Sequence, residues 1–207
     1  MKPKLLLSIL FVAVGICLCK AEIAKSTNQE SMPQYFNAGN PIKFNGDNYY
    51  FAWSSRPYDF YMLQEYLPKG QKFEDYTRMF SVSVIFYGNS PFNSAKAVEM
   101  KVAELEETKK NDPVCNYNVL ENNGNYIVDF IVSKSDDKGN LEFVEVDIHY
   151  YRDMTLDGNK ASCLLFYSHR AYGDDITPFL ESLPNLRDKW YQEITNLNIT
   201  PEFKFKK

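Results

Sequence analysis

The sequence is poor in the residues on which many enzyme motifs depend. Its 207 residues include two histidines and four cysteines, so a multi-histidine metal site within one chain is excluded. The signatures of nucleotide-binding loops (GxxxxGKS/T and GxGxxG), zinc proteases (HExxH), thiol redox sites (CxxC) and serine hydrolases (GxSxG) are all absent. We therefore predict no metal and no cofactor.

Glycine and proline are also scarce, with nine and ten residues, which excludes a low-complexity chain. Hydrophobic residues make up 44% of the chain and charged residues 24%, as in ordinary globular proteins. The formal net charge is -4, because 23 Lys+Arg face 27 Asp+Glu. Collagen-like, coiled-coil, disordered and nucleic-acid-coating proteins do not fit these values.

Residues 1–21 have the pattern of a secretory signal peptide. Lys2 and Lys4 precede an apolar run from Leu5 to Cys19, and Ala21 is a small residue suited to signal peptidase cleavage. The apolar run is shorter than the ~20 residues that cross a bilayer. The sequence therefore predicts export to the periplasm or cell envelope, with a retained N-terminal anchor as the alternative.

Lipidation of the N-terminus is a second alternative. A bacterial lipoprotein signal has a small residue before its cysteine, whereas Ile16 precedes Cys17 and Leu18 precedes Cys19. Contact with a membrane is therefore expected only through a retained or lipidated N-terminus.

After cleavage, 20 Lys+Arg would face 27 Asp+Glu, a net charge of -7. Such an acidic protein is repelled by nucleic acids, so no nucleic-acid partner is predicted. Residues 22–40 are polar and lack periodicity, which is typical of a flexible tether. Residues 41–207 are predicted to form a single α+β domain.

Turn signals divide this domain into extended segments. Asn45-Gly46 and Asn123-Gly124 are typical of tight hairpins, and polar turns at 136–140 and 157–159 separate later strands. The predicted extended segments are Pro41–Phe44, Tyr49–Trp53, Tyr58–Leu67, Arg78–Tyr87, Cys115–Glu121, Asn125–Lys134, Leu141–Arg152 and Ala161–Arg170.

Two helices complete the prediction. Ser94 is a candidate cap for a helix that runs to about Lys110, before Pro113. A second helix starts near Thr177-Pro178, and Pro184 breaks or restarts it. The last four strands form an antiparallel meander. The expected fold is an antiparallel sheet of six or seven strands with helices packed on one or both faces.

One strand presents a polar face. Along Leu141–Arg152, Glu145, Asp147 and His149 point to one side and apolar residues to the other, and the neighbouring strand supplies Asp129 as a further candidate. An aspartate beside a histidine can orient an imidazole for general-base catalysis. A solvated sheet face gives the same pattern and is the favoured interpretation, so no catalytic residue is assigned.

Aromatic residues offer weak candidates for ligand binding. Tyr49, Trp53, Tyr58 and Tyr61 are close in sequence and are suited to lining a groove for an apolar or sugar-like ligand. Filling the core of a sheet is the favoured alternative.

The two later cysteines pose an open question. Export favours a disulfide between Cys115 and Cys163. In a simple meander, however, the two residues lie near opposite ends of strands that are about 14 Å apart, and a disulfide needs Cα atoms within about 7 Å. Two free, buried thiols are the preferred prediction.

The segment Gln64–Gln71, followed by Tyr76-Thr77-Arg78-Met79, resembles a pattern in uncharacterised exported bacterial proteins. The aromatic position before the threonine is usually tryptophan there, whereas this chain has Tyr76. The order of predicted elements is similar to the PsbP-like α/β/α sandwich. The resemblance implies bacterial export and that fold class, and it assigns no catalytic residue.

The expected function is that of an exported, non-catalytic binding or assembly module. Its partner would be an envelope protein or a small apolar ligand. The alternatives are a carrier of a small apolar molecule and a hydrolase that uses Asp147 and His149.

Overall fold

The computed structural model of the protein describes residues 32–203. The predicted signal peptide and most of the predicted tether lie outside this range. Eight strands and two helices are found within it. They are β1 Ile42–Phe44, β2 Asp47–Tyr58, β3 Tyr61–Pro68, β4 Arg78–Phe86, α1 Ser94–Thr108, β5 Asn116–Asn122, β6 Asn125–Ser135, β7 Leu141–Leu156, β8 Asn159–Tyr172 and α2 Ile176–Asn196.

The strands form one antiparallel sheet in the order β1-β2-β3-β4-β8-β7-β6-β5, curled into a half-barrel. The predicted PsbP-like sandwich of six or seven strands with packed helices is wrong, because eight strands dominate the described residues and only two helices accompany them. The predicted segment Tyr58–Leu67 includes the boundary between β2 and β3. A tight turn at Asp59-Phe60 separates the two strands, and it contains neither glycine nor asparagine.

Three other hairpins follow the predicted turn chemistry. Each has a two-residue loop in which an Asn or Asp and the following Gly both have positive φ, the conformation of the turn that best fits twisted strands. Two of these loops join β5 to β6 and β7 to β8 within the predicted meander β5-β6-β7-β8, which is confirmed, and the third joins β1 to β2. The three pairs are Asn45-Gly46, Asn123-Gly124 and Asp157-Gly158.

The main core lies on the sheet face that α2 covers. Alternate residues of the central strands, such as Val82, Val146 and Leu165, are fully buried there. Helix α2 adds Leu183 and Trp190, and it continues through Pro184 without a break. The predicted break or restart at Pro184 is therefore wrong, because packing on this core offsets the lost backbone hydrogen bond.

The packed chain begins before the predicted domain boundary at residue 41. Phe36 is buried, and its N–H donates to Gln64 Oε1 at 3.2 Å. Asn37 forms a backbone bridge with Glu202, which ties the start of the described chain to its end. Within residues 32–203, neither helix combines the length and the hydropathy needed to cross a membrane.

Cys115 and Cys163 are both buried and free, which confirms the preferred prediction. They lie in different hydrophobic clusters, since Cys163 joins the core under α2 and Cys115 packs against α1. Burial raises the pKa of the Cys163 thiol to about 11, and it also raises that of Cys115. Both thiols are therefore protonated and unreactive at neutral pH.

Candidate functional site

A cavity of about 400 Å³ lies between α1 and the sheet face opposite the main core. Its walls combine apolar and aromatic side chains, among them Leu63, Leu105 and Phe166. Its floor is polar and comes from alternate residues of neighbouring strands. The charged or ionisable residues that line it are Glu65, Lys101, Glu104, Asp112, Lys134, Glu145, Asp147, His149 and Arg170, together with Tyr61 and Tyr151.

Helix α1 is fastened to the sheet at its start. The side chain of Asn93, one residue before the predicted cap, accepts a hydrogen bond from the Lys96 N–H. Ser94 is turned towards the sheet instead. Its N–H and hydroxyl both lie 2.9 Å from Asp153 Oδ1, and its hydroxyl is 2.8 Å from that of Ser162.

A second attachment lies just beyond the end of α1. Asp112 accepts hydrogen bonds from the backbone N–H of Ser133 at 2.6 Å and from its hydroxyl at 2.7 Å. Between the two attachments, Ala97, Val98 and Leu105 pack on the sheet. The helix therefore covers the cavity as a fixed roof.

Glu145 is the most heavily bonded carboxylate of the cavity. Arg170, opposite it on β8, forms a buried ion pair with it. The hydroxyls of Tyr76 and Ser168 each donate to the same carboxylate oxygen at 2.7 Å. The Arg170 guanidinium also lies 4.2 Å from the centre of the Tyr76 ring and 4.4 Å from that of Phe143. These contacts compensate the charge of Glu145 within the fold.

Asp147 has a different environment, although it is the next residue on the same face. It is 4% exposed, and its Oδ1 has no hydrogen-bond partner among the described residues. Burial and the nearby charge of Glu145 raise the pKa of Asp147 well above its usual range. A hydrogen bond with Ser168 and the positive charges of Lys101 and Arg170 oppose this rise, but more weakly. Asp147 is therefore a buried carboxyl group whose negative charge is poorly compensated.

His149 does not pair with Asp147. Its Nδ1 lies 3.0 Å from the Tyr151 hydroxyl, and its ring meets those of Phe130 and Phe166 edge-on, with centroids 4.9 Å and 4.5 Å away. Burial and the charge of Lys101 hold the pKa of His149 well below its usual range. The imidazole is therefore neutral at physiological pH.

Lys101 reaches the cavity from helix α1. It is 2% exposed, its Nζ lies 3.2 Å from Glu104 Oε1, and the ammonium is 5.1 Å from the centre of the Phe130 ring. Burial raises the pKa of Glu104, and Lys101 opposes that shift. Two of the cations that line the cavity are thus each paired with a carboxylate that also lines it, Lys101 with Glu104 and Arg170 with Glu145.

The structure brings three of the sequence candidates together in this cavity and separates a fourth. Glu145, Asp147 and His149 line it, and all three are buried, so the favoured interpretation of a solvated sheet face is wrong. Asp129 lies on the opposite face, because it stands across from Ile148. There it contacts Arg187 at 3.2 Å and accepts a hydrogen bond from Tyr191.

The four aromatic candidates do not form one groove. Tyr61 lines the cavity, and Trp53 and Tyr58 pack around it. Tyr49 is fully buried on the α2 side, where its ring centre is 6.0 Å from that of Phe80. Core filling, the favoured alternative, describes Tyr49.

Sequence reasoning missed the charged residues contributed by other elements. Lys101 interrupts the apolar face of α1, four residues after Ala97 and four before Leu105. Glu65 is a charged residue within the mostly apolar and buried strand β3. A charge at a position that periodicity assigns to the interior is a detectable signal. Arg170 shows no such signal, because the partner that explains it is on another strand.

Comparisons with known proteins are sparse. No curated protein and no solved structure matches the chain. A protein-family model matches residues 36–199, a range that contains the whole sheet, both helices and the cavity. The expected relation to an uncharacterised family is confirmed at that level. The chain belongs to an uncharacterised protein family whose members share the segment that forms this domain.

Proposed function

We propose that this protein is a non-catalytic binding protein that holds a small ligand in the cavity under α1. The observation that carries the proposal is the cavity of about 400 Å³ whose floor contains buried charged side chains. This volume is within the range of small-molecule sites, roughly 300–1,000 Å³. Mixed apolar walls and a few convergent polar groups are also typical of such sites.

The buried charges support a ligand more than a purely structural role. Removing a charge from water costs several kcal/mol, and replacing a buried ion pair with apolar residues is often neutral or stabilising. The α2 face of the same sheet shows that this fold can fill its interior with apolar side chains. Charges such as Asp147 and Lys101 are therefore better explained by something that binds beside them.

The geometry around His149 supports binding over hydrolysis. A catalytic imidazole needs a carboxylate that orients it and a nucleophile that it can deprotonate. In this site Nδ1 of His149 is engaged by the Tyr151 hydroxyl, and Asp147 is a neighbour rather than a partner. The Ser168 hydroxyl donates to Glu145.

Filling the cavity tests the proposal. The ring introduced by Ala97→Phe would occupy the cavity, because Ala97 is buried and lines it. Ala103→Phe is the matched control, since it adds the same ring to an exposed position of α1. Native mass spectrometry of protein purified from its native host is expected to show a bound small molecule on the wild type and on A103F. The signal is expected to be absent from A97F.

Two results would overturn this function. One is a wild-type protein that carries no added mass. The other is an A97F variant that folds, by its thermal unfolding curve, and still retains the ligand. A stoichiometric protein partner in place of a small molecule would favour the assembly-module alternative.

We further propose that the protein is exported to the periplasm or cell envelope. The support is the basic start, apolar run and small residue at the cleavage position in residues 1–21. N-terminal sequencing of the protein from an envelope fraction is expected to begin at Glu22. A chain that still begins at Met1, or an N-terminal lipid-modified cysteine, would contradict a cleaved signal peptide.

A further inference from the structure

The charges that line the cavity are unequal in number. Among the described residues, five acidic side chains and three basic ones reach it. His149 adds no charge, because it is held neutral. An occupant with a positive charge therefore meets more carboxyl groups than basic side chains. The acidic residues are Glu65, Glu104, Asp112, Glu145 and Asp147, and the basic residues are Lys101, Lys134 and Arg170.

The three basic side chains are already engaged with carboxylates. Arg170 is paired with Glu145, Lys101 lies 3.2 Å from Glu104, and Lys134 lies 2.5 Å from Glu142 at the rim. An anionic ligand would compete with these carboxylates for the basic side chains. Displacing a buried carboxylate would leave it without its compensating charge, which is strongly unfavourable.

Asp147 is the acidic group whose missing hydrogen bond a ligand can supply. It lines the cavity, it is 4% exposed, and its Oδ1 accepts no hydrogen bond from the described residues. Buried oxygens are almost always hydrogen-bonded in native proteins, so an orphaned one requires an explanation. A donor supplied by a ligand, such as an ammonium or guanidinium N–H, would satisfy this oxygen and compensate the charge of the Glu145–Asp147 pair.

The aromatic walls suit the same kind of ligand. Phe130 and Phe143 already have a protein cation over their rings, Lys101 at 5.1 Å and Arg170 at 4.4 Å. Tyr61 and Phe166 line the same cavity. Aromatic faces attract organic cations through the ring quadrupole, and they also offer apolar surface to the body of the ligand.

We propose that the cavity takes a small organic cation, an ammonium or guanidinium group on an apolar or aromatic body, with its charge against Asp147. This ligand class rests on the proposed binding function. It departs from the apolar ligand that the sequence suggests, because the floor of the cavity is charged.

Three probes with the same body and different charge test the class. Isothermal titration calorimetry at pH 7 would compare 2-phenylethylamine, 2-phenylethanol and phenylacetate, which are cationic, neutral and anionic. We expect the amine to bind at least about tenfold more tightly than the alcohol, and phenylacetate to bind most weakly. The Asp147→Asn variant is expected to lose this preference. Asp137→Asn, the same change at an exposed turn, is expected to keep it.

Equal affinities for the amine and the alcohol, tighter binding of phenylacetate, or no binding of any probe by the wild type would overturn the ligand class. A preference for the amine that survives in D147N would overturn the role of Asp147. These failures are distinct from failure of the binding function itself, which depends on whether native protein carries a small molecule that A97F excludes.

Discussion

Alternate residues of β7 enter two different environments. Val144, Val146 and Ile148 are fully buried in the apolar core under α2, whereas Glu145, Asp147 and His149 line the cavity under α1. Each face is covered by one helix, and all six of these side chains are buried. The difference lies in what fills the space, since one face is packed and the other encloses a charged void. Apolar packing is thus concentrated on one side of the sheet, and the proposed binding site lies on the other.

The two histidines make the same comparison at single-residue scale. His169, on the α2 side, stacks on Phe179 at 4.5 Å and packs against Trp190, and burial lowers its pKa to about 4. His149 is also neutral, yet it borders the cavity. Burial and a lowered pKa alone therefore do not mark a histidine as part of a binding site. His149 differs from His169 in that it lines a cavity.

The largest expected effect is on the packed face. Trp190 is fully buried, and its ring centre is 5.2 Å from that of Tyr167. Trp190→Ala is expected to lower the free energy of unfolding by about 3–5 kcal/mol, measured by denaturant titration. Phe166→Ala is the counterpart on the cavity side, and a smaller loss is expected because one side of that ring already borders open space. Equal losses would contradict the contrast between the faces.

The second largest expected effect on stability comes from breaking the ion pair between Arg170 and Glu145 on the cavity side of the sheet. Arg170→Met would leave Glu145 buried without its compensating charge, and we expect a loss of about 3 kcal/mol in unfolding free energy. The double variant Arg170→Met, Glu145→Gln is expected to recover most of that loss, because Tyr76 and Ser168 can still donate to the amide oxygen. A double variant as unstable as the single one would show that packing of the guanidinium, rather than charge, is what matters.

Asp147→Asn is expected to stabilise the protein by about 1 kcal/mol at pH 7 while it impairs binding of a cation. The folded-state pKa of Asp147 is raised above the unfolded value of about 3.9. The folded state therefore binds the extra proton between these two values, so that the contribution of Asp147 to stability falls as pH rises through that window.

Denaturant titrations from pH 4 to pH 8 would measure this effect. The decline with increasing pH is expected to be shallower in D147N than in the wild type and unchanged in the exposed variant Asp137→Asn. Parallel curves for the wild type and D147N would contradict a raised folded-state pKa.

Turn residues and hydrophobic periodicity predicted many of the strands and turns, but they did not predict how the strands assemble into the sheet. The Asn-Gly and Asp-Gly turns and the alternation along β7 predicted hairpins and faces that the structure has. The turn at Asp59-Phe60 escaped prediction because it lacks the glycine that follows the Asn or Asp in the other two-residue loops. The curl of the sheet and the eight-strand order depend on the pairing of β4 with β8, which are separated by more than seventy residues. No local pattern specifies that pairing.

The site was predicted only in part for the same reason. Periodicity placed Glu145, Asp147 and His149 on one face, but it could not distinguish a solvated face from one that a helix covers. The predicted neighbouring strand suggested Asp129, whereas the register of β6 against β7 places it on the other side. Lys101 and Arg170 come from α1 and β8, so their proximity to Asp147 appears only once the elements are assembled.

The smallest predicted effect is that of Tyr151→Phe, and the same substitution on the opposite face, Tyr167→Phe, is its comparison. The Tyr151 hydroxyl lies 3.0 Å from Nδ1 of His149, and the Tyr167 hydroxyl lies 3.3 Å from Nδ1 of His169. Tyr151→Phe is expected to cost about 0.5 kcal/mol, because water in the cavity can replace the lost partner. Tyr167→Phe is expected to cost about 1.5 kcal/mol, because the packed core leaves no such room and Asn45 also loses its acceptor. Denaturant titrations of both variants measure the difference, and a greater loss for Y151F would mean that the cavity side is as tightly closed as the core.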